Sequence, residues 1–375
     1  MWNSERLSLL ALHFVPGIGY HLIRQLISYC GSAENVFKSP RGKLLKIPGI
    51  GHTGADAIRA GRPFQIAEEE FRKTEKVGVD LLFYTDRKYP SRLKGLPDAP
   101  TLLYAKGSMD LENDKIVAVV GTRSATSYGK NCVEDFVKGL APHGALVLSG
   151  LAYGIDAMAH REAIRNNLQT VGVLGSGIDV IYPSSHREIA NKMLMNGGLL
   201  SENPFGAKPD AHNFPSRNRI IAGLCDALIV VEAAQHGGAL ITANIANSYN
   251  KDVFAFPGGI REGYSEGCNN LIKKNQAHLM TGISDLEYIM NWSPGTPSKS
   301  QSQSPGFDDS DCTPEERTVL LLLREKNRSI VIDELSWISG FSVSQLASIL
   351  LSLEFKGLVH SSPGKLFGLK TGKAT

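Results

Sequence analysis

With 375 residues, 42% of them hydrophobic and 21% charged, the chain has an ordinary globular composition and the length of two or three domains. No apolar run approaches the roughly 20 residues of a membrane span, no signal-peptide pattern opens the sequence, and the scattered Cys30, Cys132, Cys225, Cys268 and Cys312 contain no CxxC pair that would suggest a disulfide framework or a zinc site. A net charge of +3 permits a nucleic-acid ligand without arguing for one, and the expectation is a cytoplasmic protein without a bound metal.

Residues 1–75 read as a helical domain, because Leu9, Leu12 and Val15, then Leu22, Ile23 and Leu26, recur at helical spacing. Pro-Gly-Ile-Gly occurs twice, at 16–19 and 48–51, each time between helical patterns. This is the form of a tandem helix-hairpin-helix, which can direct the amides of Gly17, Gly19, Gly49 and Gly51 at a phosphate backbone without reading bases. Arg24, Lys43 and Lys46 would assist, whereas Glu68, Glu69 and Glu70 oppose; a purely structural turn fits equally well.

Residues 76–292 read as an α/β domain. The runs 116–120, 145–148, 170–174, 227–231 and 252–256 are near-continuously apolar, and each precedes a glycine-containing loop and a helical pattern. Strands buried on both faces have this composition, so the fold expected is an extended Rossmann-like, doubly wound, mostly parallel sheet. Ligands of such sheets lie beyond the carboxyl ends of the strands. Three loops are expected there: Gly121-Thr122-Arg123 and the residues to Ser127, Ser149-Gly150 to Asp156, and Gly175-Ser176-Gly177-Ile178-Asp179. Glycine allows close backbone approach, and the following helix N-terminus offers amides to an anion. The spacing of Gly121 to Lys130 is not that of a P-loop, and the third loop lacks the last glycine of a dinucleotide fingerprint, so no nucleotide cofactor is expected.

The densest cluster follows, at 212–221. Ser216 is placed to cap a helix whose first turn holds Arg217, Asn218 and Arg219, and cations there oppose the helix dipole unless an anion binds. Phe214, just before Pro215, is placed to stack on a base, and the combination suits a single strand. The alternative pairs the arginines with Glu202 or Asp210 and buries Phe214. Glu232 to Thr242, with Gly237-Gly238, and Pro257-Gly258-Gly259 complete the expected rim. Asp156, His160 and His236 are read as structural, and no catalytic triad or paired-carboxylate pattern stands out.

Taken together, VAVVGTR (117–123), SGLAYGID (149–156), GSGIDVIYP (175–183), SENPFG (201–206), FPSRNRIIAGL (214–224), VEAAQHGGALITA (231–243) and FPGG (256–259) resemble, in order, the motifs of the DNA-processing protein A family, also called Smf. The resemblance implies a single-stranded DNA-binding Rossmann domain that protects incoming DNA and loads the RecA recombinase in natural transformation. It also implies a homodimer without enzymatic activity. By motif position it implies DNA contacts from Arg123, Phe214, Arg217 and Arg219 and from the amides of Gly121, Gly150 and Gly175, with Thr122, Ser176 and Asn218 beside them. Lys208 lies just upstream of the arginine segment. The family's dimer and recombinase surfaces point to 269–280, where Leu271, Ile272 and Met280 are apolar; a buried core helix explains the same residues. Residues 1–75 resemble the sterile-alpha-like domain found at this place in the family.

Residues 293–312 are rich in Ser, Pro and Gly and read as a flexible linker. Residues 313–375 resemble a winged helix, with Ser342 and Gln345 as a capping box before the third helix. That helix has no cation until Lys356, which favours weak duplex binding or a protein-binding role. The competing expectation is a nucleotide or nucleoside-monophosphate hydrolase of a related Rossmann-like fold. Such enzymes use PGGxGTxxE, and here Pro257-Gly258-Gly259 is followed by Ile260-Arg261-Glu262.

Overall fold

The structure is a computed structural model that describes residues 3–210, 213–293, 312–326, 330–362 and 366–369. The chain forms two compact units, Met1–Pro297 and Ser298–Thr375. The linker expected at 293–312 lies, apart from Ser293 and Cys312, outside the described residues.

The first unit opens with six helices: α1 (Ser4–His13), α2 (Tyr20–Cys30), α3 (Ala33–Lys38), α4 (Arg41–Leu44), α5 (His52–Arg59) and α6 (Arg62–Val77). The two Pro-Gly-Ile-Gly turns separate α1 from α2 and α4 from α5. Gly17 and Gly49 take φ values of 77° and 83°, in the left-handed region that glycine enters at no steric cost. A Cβ at Gly49 would lie 2.8 Å from the Leu22 side chain, so the second turn packs directly on α2.

The sheet comprises β1 (Asp80–Phe83), β2 (Leu102–Gly107), β3 (Ile116–Val120), β4 (Leu146–Ser149), β5 (Thr170–Leu174), β6 (Gly197–Ser201), β7 (Ala227–Val230), β8 (Asp252–Ala255) and β9 (His278–Leu279). Its order is β1-β2-β6-β5-β4-β3-β7-β8-β9, antiparallel at β1/β2 and β2/β6 and parallel elsewhere. Between the strands run α7 (Ser91–Lys94), α8 (Ser127–Leu140), α9 (Ile155–Arg165), α10 (Arg187–Met193), α11 (Asn213–Leu224), α12 (Gly238–Ser248), α13 (Glu266–Lys273) and α14 (Ile283–Met290). Every residue of β3, β4, β5 and β7 is buried, which is why these runs are apolar without alternation.

Two hydrophobic clusters line the faces of the sheet, one with Ile116, Leu148 and Leu228 and the other with Val117, Val147 and Ile229. A third joins the N-terminal helices to the sheet, running from Leu9, Leu12 and Leu26 to Leu102, Leu151 and Leu199. From β3 the chain builds outward through β4, β5 and β6 on one side, then returns to place β7 on the other. The carboxyl ends of β3 and β7 therefore flank a topological switch point, where open α/β sheets bind ligands.

The second unit contains α15 (Pro314–Lys326), β10 (Ile330–Val331), α16 (Ile332–Ser339), α17 (Val343–Phe355), β11 (Val359–Ser362) and β12 (Leu366–Leu369). Its strands form an antiparallel sheet in the order β10-β12-β11, and Leu323, Leu335, Leu346, Leu350 and Leu353 fill its core. Ser342 and Gln345 make the reciprocal capping box at the start of α17.

Candidate nucleic-acid interface

A crevice of about 320 Å³ opens at the switch point, lined by Gly121, Thr122 and Arg123 after β3, by Arg217 and Asn218 of α11, and by the first turn of α12. A Cβ at Gly121 would lie 2.5 Å from the Ile155 side chain, so glycine lets the loop after β3 pass close against α9. The Thr122 amide donates to Glu232 O at 2.7 Å, and Arg123 projects as an exposed side chain. At α12 the N-cap is Gly237, which supplies no side-chain acceptor, so the positive end of the helix dipole is presented to the crevice.

Arg217 is only 5% exposed and forms part of the crevice floor. Its Nη1 donates to Gly150 O at 2.6 Å and to Val173 O at 2.5 Å, while Nε donates to Asn218 Oδ1 at 3.1 Å. Burial holds its pKa below the usual guanidinium value, an effect that the charge of Asp156 only partly offsets. Asp156 is the complementary case: burial raises its pKa, and the Arg217 charge and the amides of Ala152 and Gly150 lower it. The Gly150 amide, expected to meet phosphate, donates instead to Asp156 Oδ2 at 3.2 Å, and the Ala152 amide does so at 3.3 Å. A carboxylate of the chain thus occupies the anion place of that loop. A Cβ at Gly150 would collide with the Arg217 guanidinium, so glycine is required for this contact.

Glu232 is buried and accepts from Thr126 N at 3.0 Å and Thr126 Oγ1 at 2.6 Å. Thr126 is the N-cap of α8, so Glu232 fixes the loop that carries Arg123. His160 is fully buried, with Nδ1 2.7 Å from Thr170 Oγ1, and burial lowers its pKa to about 3. The structural readings of Asp156 and His160 fit this placement. His236 is exposed beside a neighbouring depression between α12 and α13. Among the described residues no group of three or more His, Cys, Asp or Glu side chains is placed to hold a metal ion.

Gly175 and Ser176 lie in an adjoining slot that shares Arg123 and Ala152 with the crevice. Ser176 is 2% exposed and its hydroxyl donates to Val180 O at 2.6 Å, so its side chain is engaged within the loop. Arg219 follows the alternative weighed from sequence: it forms an ion pair with Glu202, and its guanidinium lies 5.1 Å from the centre of the Tyr20 ring. Lys208 is exposed on the segment between β6 and α11 and lines neither cavity. Phe214 belongs to the first turn of α11, and its side chain lies outside the described residues.

The surface expected at 269–280 needs correction. Leu271 is 4% exposed and Met280 0%, each within a core cluster, and Ile272 packs partly buried against one of them. These residues close the sheet from within. Sequence reading also passed over Tyr153 and Tyr182, which stand half exposed around the slot.

A family model described as DNA recombination-mediator protein A matches residues 80–291, and one described as DprA winged helix domain matches 299–365. The chain is 32% identical to Protein Smf of Synechocystis over 97% of its own length and 98% of that protein's. It is similar to the X-ray structure of DNA processing protein A from Streptococcus pneumoniae, with 34% identity and a TM-score of 0.66 over 77% of this chain and 98% of the other. A DNA processing protein A from Helicobacter pylori, described for its single-stranded DNA binding mode, superposes with 29% identity and a TM-score of 0.52 over 57% of this chain and 95% of that one.

Proposed function

The chain belongs to the DNA recombination-mediator protein A family, and from that premise we propose that it captures single-stranded DNA in the crevice at the β3/β7 switch point and performs no covalent chemistry on it. The observation that carries this reading is the convergence of Arg123, the α12 N-terminus and the Gly121 loop on one open crevice. Cations and amides placed this way meet a phosphate backbone without selecting a base. The binding mode described for the Helicobacter pylori protein supports the same ligand.

In this proposal Arg123 is the direct phosphate contact, with Thr122 and the Gly121 and Gly175 loops beside it. Arg217 and Asn218 support the floor, Arg219 is engaged by Glu202, and Lys208 and Phe214 remain proposed contacts of the approaching strand. Homodimerisation, protection of the bound strand and delivery to RecA complete it, carried by family membership. A role without catalysis is supported by Glu232, whose carboxylate is engaged at Thr126. Release of base from a nucleotide, abolished by Glu232→Ala, would overturn that part.

The test is a titration of the full chain with a fluorescent single-stranded oligonucleotide at several salt concentrations. Arg123→Glu is expected to weaken binding at least tenfold and to make the log-log salt slope shallower by about one. Unchanged affinity and slope would remove the crevice as the DNA site.

A further inference from the structure

The crevice does not end at Arg123. That side chain also lines the adjoining slot, whose floor is Gly150, Leu174 and Gly175 at the ends of β4 and β5 and whose walls are Tyr153 and Tyr182. The two tyrosines are 49% and 47% exposed, a large apolar area for side chains on loops. Tyr153 meets His186 edge to face, with ring centres 5.1 Å apart and planes at 70°. His186 is itself buried, its Nδ1 2.9 Å from Leu151 O, so the tyrosine is held from below and its outer part is left to solvent. The slot offers only about 10 Å³, which admits about one water and no base. A ligand there must lie across the rings.

We propose that Tyr153 and Tyr182 form a base-stacking subsite that continues the DNA track from the crevice past Arg123. This deepens, and rests on, the reading of the crevice as a single-strand site. Arg123 holds the backbone at the junction, and the next bases turn down onto the two phenol rings. Every base has a π face, so the subsite tolerates any sequence; each stacked base strengthens binding roughly five- to hundredfold. It adds no counterion release, because the rings are uncharged.

The experiment titrates the full chain with a thymidine oligonucleotide and with an abasic oligonucleotide of the same length. Tyr153→Ala with Tyr182→Ala is expected to lose at least tenfold on the thymidine strand, to lose little on the abasic strand, and to keep the wild-type salt slope. Tyr153→Phe with Tyr182→Phe is expected to recover most of what alanine loses. As a check that does not depend on the truncated variant folding, the fluorescence of Tyr153→Trp is expected to be quenched by the thymidine strand more than by the abasic one. Wild-type affinity of the alanine variant, an equal loss on both strands, or equal quenching by both would overturn the subsite. If Arg123→Glu abolishes binding while the tyrosine variants leave it intact, the subsite alone fails; if Arg123→Glu has no effect, the crevice reading fails with it.

Discussion

The guanidinium of Arg217 donates to the carbonyls of Gly150 and Val173, which lie 67 and 44 residues away in sequence. Nη1 alone bridges the ends of neighbouring strands while Nε, on the other side of the planar group, reaches Asn218, an arrangement that a lysine ammonium on a flexible stem cannot reproduce. Arg217→Lys is therefore expected to cost roughly 2–4 kcal/mol of stability, since buried carbonyls lose a charged donor. It should also weaken DNA binding by loosening the Gly150 loop. Arg123→Gln, at an exposed position, should weaken binding with the melting temperature unchanged. Wild-type melting and affinity in the Arg217→Lys variant would refute the clamp. Sequence made Arg123 legible, because Gly-Thr-Arg directly follows an unbroken apolar run. It did not reveal the burial of Arg217, because the Gly150 and Val173 carbonyls that hold its Nη1 are main-chain groups that leave no side-chain signature. Tyr153 and Tyr182 were invisible for a related reason: a single aromatic in a loop has no periodicity to mark it.

Elements were legible where burial on two faces forced a continuous apolar run. The runs at 116–120 and 170–174 coincide with β3 and β5, and those at 145–148, 227–231 and 252–256 match β4, β7 and β8 to within a residue at each end. β6 escaped notice because it begins with Gly197 and Gly198 and contains no β-branched residue. Side chains are impossible there, since a Cβ at Gly198 would collide with the β2 backbone at Lys106. Helix α9 carries a testable consequence of such packing. Asp156 and His160, one turn apart, both point into the interior, and burial lowers the His160 pKa from 6.5 to about 3. His13 in α1 is likewise lowered, to about 4. Between the unfolded value near 6.5 and these folded values the unfolded chain binds more protons, so stability falls as pH falls through that window. Each histidine contributes up to about 1.4 kcal/mol per pH unit, and none of this loss operates above pH 7. His160→Gln should make the stability-pH slope between pH 6 and 4.5 shallower by about one proton, measured by urea unfolding. An unchanged slope would mean that His160 charges without opening the fold.

Across the whole first unit, composition marks a change near residue 75, where helical spacing gives way to β-branched runs, but it cannot report that both sides share a core. The cluster from Leu9 to Leu199 makes them one packing unit, and Glu70 ties them through polar groups. This α6 carboxylate, 2% exposed, accepts from Phe205 N at 2.7 Å, from Tyr104 Oη at 3.1 Å and from Lys73 Nζ at 3.3 Å. A run of three glutamates reads in sequence as a solvated acidic face; the third instead points inward because two sheet-side donors are waiting for it. The second unit carries its own core, and α17 has no lysine or arginine in its length. Glu70→Ala would leave the Tyr104 hydroxyl and the Phe205 amide buried without their acceptor, at a cost of roughly 2–4 kcal/mol. Because the core is shared, that loss should appear equally in the hydrogen-exchange protection of α2 and of β5, although neither element touches Glu70 through these bonds. Loss confined to the six N-terminal helices would mean that they unfold on their own. The helical segment would then be an appended module, and its hairpins could move independently of the crevice.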